Sequence, residues 1–458
     1  MRNSLHLHQL DDQLDTLHEL FSEVSDLPWS ILLDSGNSQH MDAHYDIMVF
    51  DPLLTVTFEG DSSLITHRNG NIERIEQDPF ELLRAQAEKW MPAIAPNQLP
   101  FCGGWLGYLS YDLGRAIETL PTLAESDITL PQLAMGLYDK GIIRCQESGK
   151  VTLFGWTRQA LDSLKPLLDK NVECCATDAP FMLVSQWQSN MTEQAYKEKF
   201  GRIKHYLRQG DCYQINLAQR YTADYEGNEW DAYIKLQKAN QSPFAAFIKT
   251  GGGAIISVSP ERLLSVDDKK VQTKPIKGTR PRSNSPERDE QARLALQNAE
   301  KDKAENLMIV DLLRNDLSKV AKPGTVVVPK LFDIESFPAV HHLVSTIECE
   351  LAGSTDAYEL LRAVFPGGSI TGAPKVRAME IIEELEPHRR SVYCGSIGYI
   401  SACGKLDSNI AIRTLICEES KIHCWGGGGL VYDSIADEEY QETKDKIAKI
   451  LPILASGD

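Results

Sequence analysis

No stretch of this 458-residue chain approaches the roughly 18 consecutive apolar residues that a membrane-spanning helix needs. Basic charge is also short: 47 Lys and Arg stand against 65 Asp and Glu, a formal net charge of −18. A field of that sign repels phosphate backbones and anionic lipid, which argues against nucleic acid and membrane surfaces as partners. The N-terminal "MRNSLHLHQLDDQLDTLHEL" lacks the uninterrupted apolar core of an export signal. Ten cysteines are scattered with no C-x-x-C pair and no framework spacing, which excludes a disulfide scaffold and predicts free, mostly packed thiols in a reducing compartment. A soluble, cytoplasmic protein is expected. Repeats of fixed period are absent as well.

At this length one minimal core is too small an account, and two structural parts are expected. Residues 1–180 are rich in short β-branched and aromatic runs punctuated by turn residues, such as "WSILLDSGN", "YDIMVFDPLLTVTF" and "GIIRCQESGKVTLFGW", where "ESGK" reads as a hairpin turn. Periodicity lapses around "DKNVECCATDAP", and Tyr196, Phe200, Ile203 and Leu207 then recur at helical spacing up to Gly210, a C-cap candidate. The boundary is placed near residue 180, with residues 181–458 forming the second part. There, helices and strands alternate irregularly, which predicts an α+β fold with large mixed or antiparallel sheets in layers rather than a βαβ barrel.

Chemistry-bearing residues are sparse in the first part and frequent in the second. "VQTKPIKGTRPR" sets Lys277 on a constrained loop, with Gly278 allowing close approach of the backbone. An amine nucleophile must shed its proton, and Lys274, Arg280 and Arg282 are nearby cations in sequence that would depress its pKa. Taken alone, the segment is equally a solvated basic loop. In "SVSPERLL", Glu261 ends a strand at a position suited to a general acid, or else pairs with Arg262 at the surface. Asp302 and Glu305 share one helix face, as do Glu439, Glu442 and Lys446 on another. Oxygen ligands without clustered His or Cys favour Mg²⁺ over zinc, although such faces are commonly just solvated. "FPGGSITGAPKVRAM" has Ala373 and Pro374 where a Walker A loop needs Lys and Ser or Thr, so it is no P-loop; Pro374 reads as the first residue of a helix whose amides face an anion. Gly426 to Gly429 either present bare backbone N–H groups to a carboxylate or form a tight turn.

Ten segments in one order, "DCYQINLAQR", "SPERLL", "PIKGTRPR", "KAENLMIVDLLRNDL", "HHLVS", "PGGSITGAPKVRAME", "GSIGYIS", "IAIRTL", "GGGGLVYDS" and "YQETKDK", resemble those of the chorismate-utilising enzymes over nearly the whole chain. The resemblance implies an anthranilate synthase component I-like fold, a layered sandwich of large sheets with helices outside. Anthranilate synthases carry alanine in place of Lys277, and the water-adding isochorismate and salicylate synthases carry a lysine base in place of Gln214. Lysine at 277 with glutamine at 214 therefore points to the members that aminate chorismate at C4, in 4-aminobenzoate and folate biosynthesis. On that resemblance Lys277 attacks C2 while Glu261 protonates the departing C4 hydroxyl. Mg²⁺ would be held by Glu305 and Glu442, with Asp302 and Glu439 supporting through water. Tyr399, Arg413 and the amides of Gly427, Gly428 and Gly429 would bind the enolpyruvyl carboxylate, Gly278, Thr279 and Lys446 would line the ring, and His342 would lie near its substituents.

The same resemblance implies a tryptophan pocket in the first part, at Ser35, Tyr45, Pro243 and Phe244. Asp34 stands where anthranilate synthases have glutamate, and residues 42–45 depart from the pattern, which argues against feedback control. No glutamine amidotransferase segment is recognisable; Cys102, before Gly103 and Gly104, is the nearest approach to a nucleophile elbow and reads as a core thiol. Ammonia is therefore expected from a separate glutaminase subunit in a heterodimer. The competing readings are anthranilate synthase component I and a chorismate-binding scaffold without activity.

Overall fold

The computed structural model describes residues 5–38, 40–168, 179–336 and 340–456. Cys174, Cys175 and most of the aperiodic stretch before residue 180 lie outside the described residues.

Among the described residues, two sheets of thirteen and twelve strands face each other. Every ladder within them is antiparallel, so the mixed alternative gives way to an antiparallel one. Both sheets take strands from both sides of residue 180: Ile31–Asp34 pairs with Phe244–Lys249 in one, and Gly104–Leu109 with Ser396–Ser401 in the other.

Many strands are apolar on both faces because both faces are covered. In Ile31–Asp34, Phe247–Ile248, Ile255–Ile256 and Leu415–Ile416, one residue of each consecutive apolar pair joins the core between the sheets. The other turns outward into a second core beneath the helices His18–Ser22, Glu229–Asn240 and Leu451–Ala455. Glu193–Gln209 and Lys375–Leu385 build a third core against Ile215 and Leu217. The first of these helices begins on Thr192, whose hydroxyl caps Ala195 N–H, and stops at left-handed Gly210, as its sequence requires.

Three segments bear on the site. "RDEQARLALQNAEKDKAENLMIVDLLRND" forms two helices, Pro286–Gln297 and Glu300–Ser318. Pro374 is the N-cap, one position before the helix Lys375–Leu385. Gly426 to Gly429 form no turn: they are the extended end of the strand Lys421–Leu430, paired with Gln214–Glu226. Their small size answers close neighbours, since a Cβ on Gly426 would lie 2.2 Å from the Thr443 carbonyl oxygen and one on Gly429 would lie 2.5 Å from Gln214 Nε2.

Candidate active site

Lys277 lies on the edge strand Ile276–Pro281, opposite Leu343 of Val340–Glu350. The ladder slips at Gly278, which has φ +68° and whose Cβ would lie 2.8 Å from both Asp302 Cγ and Leu296 Cδ1. Only glycine fits that bulge against the helix Glu300–Ser318. Thr279 Oγ1 sits 2.8 Å from His342 Nδ1. Burial pushes His342 down to about 4, with Arg413 adding to the effect, so the imidazole is neutral at physiological pH.

The Lys277 ammonium donates to the Ser369 carbonyl oxygen at 3.3 Å, and the Ser369 hydroxyl donates to Glu261 Oε1 at 3.2 Å. One loop residue thus holds both. Burial lowers the Lys277 pKa, Lys446 adds to that, and Glu305, Glu261 and Glu442 oppose it. Lys274, Arg280 and Arg282, the cations expected from sequence to act on it, are engaged elsewhere. Lys274 pairs with Asp42 and Glu335, Arg280 with Asp302, and Arg282 with Asp289. Burial raises Glu261 above the ordinary carboxyl range despite Lys277, the Ser369 hydroxyl and the Ile276 N–H. Its neighbour Arg262 does not pair with it but with Asp42 and Asp407. A lysine pushed toward its free base beside a carboxyl pushed toward its acid has the protonation states that a nucleophile and its proton donor require.

Glu442, one of the carboxylates acting on Lys277, flanks Gly428 together with Glu439; a Cβ there would lie 3.4 Å from Glu442 Oε1 and 3.5 Å from Glu439 Oε2. Lys446 bonds Glu442 at 2.7 Å and the Gly427 carbonyl oxygen at 2.9 Å, while Lys301 reaches Glu439 Oε1 at 3.3 Å. Burial pushes Glu305 up to about 6; Glu439 and Asp302 add to that and Lys277 and Lys301 oppose it. Among the described residues no three His, Cys, Asp or Glu side chains are disposed as a ready metal cluster. The donor set nevertheless suits a hard cation: among the described residues Glu439 Oε2 is buried without a hydrogen bond, and burial together with carboxylate neighbours raises the Glu305 pKa. Asp302 is turned toward Arg280 and the Gly278 bulge.

The glycine strand beside them leaves backbone donors uncommitted to the ladder. Asn216 and Ala218 give their N–H groups to the Thr371 carbonyl and to Glu386, away from the glycine strand. Their partners Gly429 and Gly427 are therefore non-hydrogen-bonded pairs, with N–H groups turned off the other edge, beyond the last pairing of Thr414–Glu418 at Cys424. Gly428 instead pairs into the ladder with Leu217. Arg413, at φ +51°, stands at that open edge, and among the described residues its half-buried guanidinium has no hydrogen bond or salt bridge. Burial lowers its pKa against the pull of Glu261. Gln214, fully buried against Gly429, likewise leaves both amide atoms without partners among the described residues.

Tyr399 does not join this group. It faces a second cavity of about 470 Å³ lined by Tyr45, Pro243, Phe244, Arg262 and Asp407. The tyrosine at the glycine strand is Tyr393, stacked on Trp425 at 5.7 Å, with its hydroxyl 2.8 Å from where a Gly427 Cβ would be. Ser369 falls within a segment notable in the sequence and Tyr393 two residues before another, yet only the three-dimensional approach distinguishes them. Ser35, expected at the second cavity, does not line it: the residue is buried, with its N–H and hydroxyl 2.9 and 2.6 Å from Asp46 Oδ1.

A family model described as chorismate binding enzyme matches residues 30–452. The chain is 49% identical to aminodeoxychorismate synthase component 1 of Salmonella typhimurium over 439 residues, 95% of each protein. Against the same component of Escherichia coli it is 48% identical over 438 residues, 95% of this chain and 96% of that one. The solved structure of anthranilate synthase component I from Streptococcus pneumoniae superposes with a TM-score of 0.79 at 31% identity, covering 91% of this chain and 93% of that one. The architecture is thus that of anthranilate synthase component I. With an amine and an acid held by one residue, Ser369, and likeness running almost end to end, the chain belongs to the chorismate-binding enzyme family.

Proposed function

We propose that this chain aminates chorismate at C4, giving 4-amino-4-deoxychorismate through a covalent intermediate on Lys277. The observation that carries the reading is the placement of Lys277 Nζ and Glu261 Oε1 on the two polar groups of Ser369. The free amine of Lys277 attacks C2, the ring double bonds shift, and the C4 hydroxyl leaves as water with the Glu261 proton. Ammonia then adds at C4, the double bonds shift back, and the C2–N bond breaks, returning the electron pair to Lys277. Two allylic displacements replace one difficult substitution. Relatives bearing the designation component 1 support a partner subunit, which we assign as the glutaminase that supplies ammonia.

Arg413, the N–H groups of Gly427 and Gly429, and Tyr393 in place of Tyr399 receive the enolpyruvyl carboxylate. An Arg413→Ala variant is expected to raise KM for chorismate about 10- to 100-fold, the cost of one lost charge-assisted interaction, with a smaller change in kcat. Glu305, Glu439 and Glu442 are the residues that would hold Mg²⁺, with Asp302 beside them. When bound, the ion would supply positive charge to the ring carboxylate. Calorimetric titration with MgCl₂ in the absence of chorismate should show affinity falling by about tenfold or more in Glu305→Gln.

Anthranilate synthase is the competing reading, and relatives of that name reach 35% identity. Chorismate, Mg²⁺ and an ammonium salt should yield a product that a separate lyase converts to 4-aminobenzoate; fluorescent anthranilate instead would contradict the reading. The second cavity, with its aromatic wall and the carboxylates of Asp34, Asp42 and Asp407, supports L-tryptophan as an occupant. Chromatography of small molecules released from the denatured protein tests that assignment.

A further inference from the structure

Two cysteines outside the chorismate chamber meet where the strands Gly104–Leu109 and Ser396–Ser401 end together. Gly104 pairs with Ser401, and the Ala402 N–H donates to the Gly103 carbonyl at 2.8 Å. Continuing the register sets Cys102, just before the first strand, against Cys403 in the turn after the second. Ser401 Oγ touches both thiols, at 3.3 Å from Cys102 Sγ and 3.2 Å from Cys403 Sγ. Neighbours across an antiparallel pair have the Cα separation that a disulfide spans.

The two thiols differ in setting. Cys102 is fully buried, under Asn97 Nδ2 at 3.8 Å, whereas Cys403 is partly exposed. The turn that carries Cys403 is closed by Ser401 N–H to the Lys405 carbonyl at 2.8 Å and passes through Gly404 at φ +88°. It wraps the sulfur with the Lys405 N–H and brings up the Lys405 ammonium. The Cys102 thiol first of all, then the Ser401 hydroxyl, the Lys405 N–H and the Lys405 charge, outweigh burial and lower the Cys403 pKa to about 6. Cys102 is pushed up and stays the proton donor. Elsewhere burial pushes the thiols of Cys212, Cys349, Cys394, Cys417 and Cys424 upward, leaving them inert.

We propose that Cys403 and Cys102 are a peroxide-reactive dithiol, with Cys403 the attacking sulfur and Cys102 the resolving one. Cys403 attacks one oxygen of a hydroperoxide, the O–O bond breaks, and Cys403 becomes a sulfenic acid as water or the corresponding alcohol leaves. The Cys102 thiol then attacks the Cys403 sulfur, the S–O bond breaks, a second water departs, and the disulfide closes. Two electrons pass from the thiol pair to the peroxide, which is the oxidant, and a thiol reductant restores the starting state. The disulfide would tie the start of the Gly104–Leu109 strand to the turn whose Lys405 and Leu406 line the second cavity.

Peptide mapping of the full-length protein after brief hydrogen peroxide treatment tests this. A dithiothreitol-reversible cross-link between the peptides containing residues 102 and 403 is expected. In Cys102→Ser, a dimedone adduct should accumulate on residue 403; in Cys403→Ser, none should form on residue 102. Untreated wild type, alkylated with iodoacetamide at pH 6.5, should lose Cys403 roughly tenfold or more faster than any other cysteine. That measurement needs no variant to fold. Alkylation of Cys403 at the rate of its peers, or peroxide-formed disulfides that omit the 102–403 pair, would overturn the proposal.

Discussion

Replacing Lys277 with alanine should cut amination of chorismate with ammonium salts by about a thousandfold or more, while chorismate affinity changes by less than about tenfold. The split follows from where the amine sits. Its bond to the Ser369 carbonyl and its carboxylate neighbours orient it, whereas the carboxylate site proposed at Arg413 and the glycine strand is built from other elements. Only the bond-forming step loses its partner. The wild-type rate should also rise with pH through a limb lying below the ordinary lysine pKa of about 10.4, because burial favours the free base. Undiminished turnover in Lys277→Ala would remove the covalent route and leave direct attack by ammonia.

The largest stability loss is expected from Arg390→Met. This guanidinium is buried at 1% exposure and donates to Glu386 at 2.9 and 2.7 Å, to the Ile370 carbonyl at 2.9 Å and to the Asn216 carbonyl at 2.9 Å, with the Tyr111 ring 4.7 Å away. Removing it strands the Glu386 carboxylate in the core with the Ala218 N–H, at a cost of about 3–5 kcal/mol. Denaturant midpoints would register that loss, and adding Glu386→Leu should recover part of it, since the stranded charge is then gone. Activity should fall too, because Ile370 follows Ser369 and Asn216 faces Gly427. A midpoint equal to wild type would mean that water reaches Glu386 and that the network is not what holds the loop.

How much of this was legible in the sequence depended on the range of the interactions involved. The helix Glu193–Gln209 was readable because its apolar spacing and its terminal glycine are local facts. The glycine run was not: it is extended, and the reason for glycine there is the approach of the Thr443 carbonyl and the Tyr393 hydroxyl from distant segments. Glu261 and Lys277 were identifiable as candidates, yet the causes of their shifted pKa values were not. The cations beside Lys277 in sequence turn outward to acids, and the one that bears on it, Lys446, comes from the other end of the second part. Tyr399 and Tyr393 lie six positions apart, and only the end of the strand, reversing at Cys394 with φ +62°, decides which meets the glycines. Ser369 carried no signal of its own, since its role is split between a carbonyl and a hydroxyl.

Mass spectrometry of the protein mixed with chorismate and Mg²⁺ without ammonia tests the central claim most directly. The peptide containing Lys277 is predicted to gain the mass of chorismate less one water, and to lose it when an ammonium salt is added. An unmodified Lys277 peptide in a sample that makes 4-amino-4-deoxychorismate as soon as ammonium is supplied would contradict the account.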